Sequence, residues 1–204
     1  IIGNSFSNNK KLNYIRKFND NQSWLFSNKF MLYSDEIDWS EESLFKIGRW
    51  RIKSVQIKNL RKKEKKIHTF KNEYSDQLFK LKNIPNGFIL NSKYNLNDYA
   101  SLLESVKKID VKKISKDINY LPLKEVVFET FDGLMIRIKI FQVGNETFSN
   151  FEISSNINIR QELSNDEPKI IGLPKMATFK DVIIEEKKYS YLSDWMFKLH
   201  NDFY

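Results

Sequence analysis

The chain contains no cysteine, so disulfides, thiolate metal sites and cysteine nucleophiles are excluded. The compartment stays open on that count, because a disulfide-free protein can live on either side of a membrane. Glycine is scarce, with six in 204 residues, and no Gly-rich phosphate loop of the Walker or dinucleotide type occurs. No nucleophile-elbow pattern is present. Alanine is found only at Ala100 and Ala177, which turns the expected core towards aromatic and β-branched residues. No apolar run approaches the roughly 18 residues a spanning helix needs, and no signal-peptide pattern opens the chain. Histidine is limited to His68, inside a strand-like run, and His200, near the end on an expected helix. Neither has a carboxylate or a second histidine at metal-ligand spacing, so no metal, no cofactor and no catalytic residue is expected.

What the chain has in quantity is charge and aromatic surface: 41% hydrophobic and 29% charged residues, with sixteen Phe, nine Tyr and four Trp. This is the balance of a globular protein, and its aromatic bias favours sheet over helix bundle. The net charge of +8 would suit an anionic partner such as nucleic acid or a lipid surface. Lys, Asn and Ile are, however, abundant throughout, and the charge reads as general solvation.

Residues 12–17 and 23–26 are short strand-like runs joined by Asn19-Asp20-Asn21, a hairpin pattern. Ile1-Ile2-Gly3 reads as a strand ending in a turn, and with no initiator Met it suggests an upstream portion. Asp38 stands three residues before Glu41, the capping-box spacing, and predicts a short helix carrying Trp39, Leu44, Phe45 and Ile47 and ending at Gly48. Strands follow at 52–57, 67–70 and 77–81, closed by a turn at Pro85-Asn86-Gly87. A helix is expected from a cap at Asn95, with Leu96, Tyr99, Leu102, Leu103, Val106 and Ile109 along one stripe. Lys107, Lys108, Lys112 and Lys113 would then complement its negative pole.

A second meander is predicted at 126–131 and 134–141 around Asp132-Gly133, a strong hairpin signal for a type I′ turn. Leu134, Ile136, Ile138 and Ile140 alternate with Met135, Arg137 and Lys139, so one face should be buried and the other wet. Gly144-Asn145 leads into a third strand at 147–154. Residues 156–169 read as a mobile polar loop. Tyr189 to Leu192 would form a last strand, and Leu192, Trp195, Met196, Leu199 and Phe203 one face of a closing helix. The resulting expectation is an α+β fold of antiparallel meanders under a few helices, with two meander-plus-helix units in one body. The segments would be 1–48, continuing a truncated upstream unit, 49–118, and 119–204.

Two clusters invite a chemical reading. Asp35, Glu36, Asp38, Glu41 and Glu42 form the densest acidic group, suited to acid–base work or a hard cation, although capping accounts for two of them. Lys58, Arg61, Lys62, Lys63, Lys65 and Lys66, with Lys53 nearby, form a basic run at an expected hairpin tip. They are the candidate polyanion contact, and exposed loop is the simpler reading.

Tyr14-Ile15-Arg16, Gln22-Ser23-Trp24-Leu25, Asp38-Trp39 with Leu44, Arg51-Ile52 with Val55 and Ile57, Phe79-Lys80-Leu81, Pro85-Asn86-Gly87, Asp110-Val111 and Phe131-Asp132-Gly133-Leu134 follow one another in a recognisable order. In that order the chain resembles proteobacterial members of the domain of unknown function 4340 family, over residues 1–154 and more loosely over 189–203. The resemblance implies a module outside the cytoplasm, on the periplasmic face of the inner membrane. It further implies a tether by an N-terminal transmembrane helix absent from this chain, and an association with ABC-type transport systems. It supplies no catalytic or ligand-binding residues. The expected function is therefore a non-catalytic envelope module, not an enzyme, whose partners are other envelope proteins or a transporter complex, or an extracellular polymer. The alternative is a soluble basic module binding nucleic acid or another polyanion.

Overall fold

A computed structural model describes residues 2–5, 13–26, 43–61, 66–84, 87, 89, 94–115, 120–162 and 172–200. The chain divides into two compact units, Ile1–Ser40 and Glu41–Tyr204. In the first, strands β1 (Ile2–Ser5), β2 (Asn13–Arg16) and β3 (Ser23–Phe26) pair antiparallel in that order. The β2–β3 hairpin stands where the turn residues predict it. Asn19 takes a φ of 62°, and Asp20 Oδ1 accepts a hydrogen bond from Gln22 N at 2.9 Å. Gly3 lies inside β1 and not in a turn, because β1 continues to Ser5 against β2.

The second unit contains β4 (Ser43–Phe45), β5 (Ile52–Asn59), β6 (Lys66–Phe70), β7 (Lys80–Leu81), helix α1 (Tyr94–Ser101) and β8 (Val106–Lys113). These are followed by β9 (Lys124–Thr130), β10 (Leu134–Val143), β11 (Glu146–Ser155), helix α2 (Phe179–Tyr189) and β12 (Trp195–Leu199). The nine strands form one antiparallel sheet in the order β4-β8-β12-β11-β10-β9-β5-β6-β7. The fold is α+β, built of β-meanders with two α-helices among the described residues. The two meanders are interleaved: β9 to β12 form the middle of the sheet and part β4 and β8 from β5, β6 and β7.

Alternation decides which face is buried. Leu134, Ile136, Ile138 and Ile140 are buried with Phe128, Val55, Phe151 and Phe197, and Leu96 and Ala100 of α1, Leu103 just after it and Val182 of α2 close over them. Phe151 sits between the rings of Phe45, edge-on at 5.3 Å, and Phe197 at 5.9 Å. The opposite face carries paired charge, with Glu125 between Lys58 and Arg137 and Glu152 between Lys139 and Arg137.

Several expectations are overturned. Ser43–Phe45 is a strand paired to β8 and Ile47 lies just beyond it, so Leu44, Phe45 and Ile47 are not on a helix; Asp38, Trp39 and Glu41 lie outside the described residues. The helix expected to run to Ile109 stops at Ser101, and Asn95 lies within it instead of capping it. Val106, Ile109 and the four lysines belong to β8, where Val106 pairs with Phe45 and Val111 with Phe197, giving the β-branched residues a sheet to pack in. Lys112 therefore meets no helix pole; it lies over the Phe148 ring at 4.4 Å and pairs with Glu146 at 3.5 Å.

Of the strand expected at 77–81 only Lys80–Leu81 forms, and Pro85 and Asn86 are outside the described residues. The Asp132-Gly133 turn is not type I′. Only Gly133 has a positive φ, and Gly133 N bonds Thr130 O at 3.3 Å, the pattern of a three-residue loop ending in a glycine bulge.

Part of the loop expected at 156–169 is structured: Ile157–Ile159 is a 3₁₀ turn, and Gln161 N bonds Phe131 O at 2.9 Å. Tyr189 ends α2, Ser190–Asp194 is a 3₁₀ helix and the expected closing helix is strand β12, with His200 just beyond it. Phe203 lies outside the described residues. Asn150 fixes this crossing, its amide donating to Ser193 O and Trp195 O, both at 2.9 Å.

Because five strand spacings, roughly 24 Å, separate β8 from β5, a fragment ending at residue 118 keeps only the separate β4-β8 and β5-β6-β7 pairings, without the strands that join them and cover their core. Residues 41–118 expressed alone are expected to lack amide dispersion and strand circular dichroism, and mixing with residues 119–204 to restore both. A folded isolated fragment would refute the interleaved topology as a folding requirement.

Candidate functional site

Three segments meet at one end of β5. The 3₁₀ turn Arg49–Arg51 precedes it, the 131–133 turn closes the neighbouring β9–β10 hairpin, and α2 crosses the face. Arg51 ties them together. Its Nε donates to Asp132 Oδ2 at 2.8 Å, and its Nη1 and Nη2 donate to Glu185 Oε1 and Oε2 at 3.1 and 2.7 Å. The fork geometry of a guanidinium suits this two-sided pairing. Burial opposes the charge of Arg51, but the bonds and charges of Glu185 and Asp132 outweigh it and push its pKa up.

Asp132, only 1% exposed, also accepts from Thr130 Oγ1 at 2.5 Å. Its carbonyl accepts from Arg160 Nη1 at 2.9 Å, and the same nitrogen reaches Ala177 O. The start of α2 is fixed just beyond, where Thr178 and Asp181 form a capping box.

Beside this network opens a cleft of about 470 Å³. Trp50, Tyr74, Phe79, Leu173 and Pro174 supply apolar surface, and Arg49, Lys71, Asp76 and Glu104 the charge. Each wall has a local cause. Trp50 is 41% exposed, and its indole lies where a side chain at position 48 would be: a Cβ on Gly48 would come within 2.1 Å of the ring. Tyr74 stacks edge-on against Phe131 at 5.5 Å and donates its hydroxyl to Pro174 O at 2.8 Å. Burial raises its pKa, Asp132 adds to the effect and Arg51 opposes it. Asn97 of α1 accepts from Phe79 N at 3.0 Å, pinning the strand-like segment to the helix. Asp76 folds the intervening loop by accepting from Asn72 N and Glu73 N at 3.1 Å, and Glu104 Oε1 accepts from Arg49 N at 2.9 Å.

Lys71 is the unusual group. It is 4% exposed, and its Nζ donates to Trp50 O at 3.0 Å while lying 5.5 and 5.0 Å from the centroids of Phe79 and Phe131. Among the described residues no carboxylate lies within ion-pair distance of it. Burial lowers its pKa to about 8; Asp76 resists the shift and Arg49 adds to it. A cation held this way is available to a ligand in a form that an exposed lysine, strongly hydrated, is not.

The basic run is not assembled into a patch by the described residues. Lys58 is bonded to Glu125 Oε1 at 3.1 Å, and Lys53 donates to Ile159 O at 3.0 Å. Arg61 is exposed in the turn after β5, Lys66 opens β6 opposite Lys58, and Lys62, Lys63 and Lys65 lie outside the described residues. The same is true of Asp35, Glu36, Asp38, Glu41 and Glu42. His68 is half-buried in β6.

Sequence reasoning missed Lys71, Arg51, Asp132 in its ionic role, Glu185 and Arg160. Thr178 and Asp181, at capping spacing ahead of Val182, were a legible signal for α2 and hence for Glu185. Nothing local distinguishes Lys71 from the other lysines.

Asp132→Ala is expected to destabilise the chain by about 3 kcal/mol in urea unfolding, because it leaves part of a buried guanidinium unpaired. Lys71→Met tests the buried amine. The folded pKa of Lys71, about 8, lies below its ordinary 10.5, so between these values the unfolded chain holds a proton that the folded chain does not. Stability therefore gains from this group as pH rises through that window, on the order of 3 kcal/mol. The Met variant should be the more stable at pH 7, with the difference closing by pH 10.5; parallel pH profiles would contradict a buried ammonium. Compared with protein-family models, curated proteins and solved structures, the chain finds no match.

Proposed function

We propose that the chain is a non-catalytic binding module of the bacterial envelope, acting on the periplasmic face of the inner membrane beside an ABC-type transport system and engaging a partner protein or polymer through the Lys71 cleft. The observation that carries the binding reading is the cleft itself: a buried ammonium on an aromatic floor, next to an exposed Trp50 at the rim. Such a mixture of apolar walls with a few fixed polar groups is the usual composition of a recognition site. The acidic groups around it are bonded to backbone amides, which gives them a part in shaping the loop. The setting in the envelope is supported by the ordered motifs from Tyr14 to Leu134 that resemble the domain of unknown function 4340 family.

The test is co-purification of the protein with its partners from detergent-solubilised membranes. Association with a permease or ATPase is expected, falling about tenfold for Trp50→Ala. Recovery as a free protein without membrane partners would overturn the reading. Retention on nucleic acid with steep loss on added salt would replace it with the polyanion-binding alternative.

A further inference from the structure

We infer that the Lys71 cleft takes a monoanionic carboxylate carried on an apolar or aromatic body. The inference rests on the binding reading above and names the chemistry of the group bound. An ammonium has three N–H donors. Lys71 gives one to Trp50 O and turns part of its charge to the faces of Phe79 and Phe131, which leaves donor capacity on the side that lines the cleft. Arg49 lines the same space, close enough for its charge to disfavour that of Lys71. Two cations facing one cavity repel, and an anion placed with them turns that repulsion into attraction on both sides.

The charge of the ligand follows from the remaining walls. Asp76 and Glu104 also border the cleft, so among the described residues its four ionic groups sum formally to zero. A phosphate dianion sets a double charge against the two carboxylates as well as towards Lys71 and Arg49, whereas a single carboxylate loses less to that repulsion and needs only the donors that Lys71 has to spare. The rest of the ligand meets the Trp50 indole, Leu173 and Pro174. A cavity of about 470 Å³ has room for a ring attached to the acid. Side-chain or terminal carboxylates next to an aromatic group, in a peptide or in a small acid, are the class that fits.

The probes are phenylacetate, its neutral amide phenylacetamide and inorganic phosphate, titrated into the whole chain at pH 7 with Trp fluorescence and saturation-transfer NMR as readouts. Phenylacetate is expected to bind saturably, phenylacetamide about tenfold more weakly, and phosphate not to compete. Lys71→Met should cut the roughly tenfold preference for the acid over the amide to about threefold, the share that Arg49 retains. Should that variant not fold, Arg49→Gln, at the cleft surface, is expected to weaken phenylacetate at least threefold and phenylacetamide not at all. Equal binding of acid and amide, or displacement of the acid by phosphate, would overturn the carboxylate assignment and leave a binding cleft standing. No binding of any probe to the folded chain would overturn the assignment too. The envelope reading is tested separately, by the Trp50-dependent membrane association.

Discussion

The large unit depends on the insertion of its last strand, β12, between β11 and β8. Its two pairings join the central meander to β8 and β4, while β9 joins the same meander to β5, β6 and β7 on the other side. β12 thus bridges the two parts of an open sheet whose edges are β4 and β7. The constraint also places the helices: α1 must carry the chain from β7 at one edge back to β8 near the other, and α2 connects the neighbours β11 and β12 over the same face. Leu96, Ala100, Leu103 and Val182 then meet a continuous apolar surface and bury it. At roughly 25 cal/mol per Å² of apolar area removed from water, this shared core is the main favourable term of the fold.

Charge is distributed according to what each face can solvate. On the open face Lys58, Arg137 and Lys139 alternate with Glu125 and Glu152 across the strands, where each exposed pair is worth little alone. Under α2 Asp132 is buried, Arg51 and Glu185 are partly so, and all three are joined by hydrogen bonds. Lys71 follows neither pattern. Its amine is buried a short way from that network with a carbonyl and two rings as company, and the cleft is where its remaining valence opens. The net +8 of the chain thus says little about binding, and one lysine in a low-dielectric wall says more.

Strands with one wet face were legible because their alternation survives in the residues: Leu134 to Ile140 against Met135 to Lys139, and the turns at Asn19 and Gly144 with their positive φ. The segment from Leu192 to Leu199 misled for the opposite reason. In β12 Met196 and Phe197 are buried on opposite faces of a central strand, so alternation is lost and the spacing of Leu192, Trp195, Met196 and Leu199 imitates a helix. Leu103 to Ile109 misled likewise, since its apolar spacing continues that of α1 while its pairing is with β4 and β12.

Taken alone, the sequence determined the α+β class, the positions of the main hairpins, the burial of one face of β10 and the exclusion of cysteine chemistry. These depend on contacts between near neighbours, or on composition. The order of the strands, the union of Arg51 with Asp132 and Glu185, and the desolvation of Lys71 were decided by tertiary structure. Each joins residues separated along the chain, such as Arg51 and Glu185, and the energy of a charge depends on the surroundings it ends in, which no local pattern records.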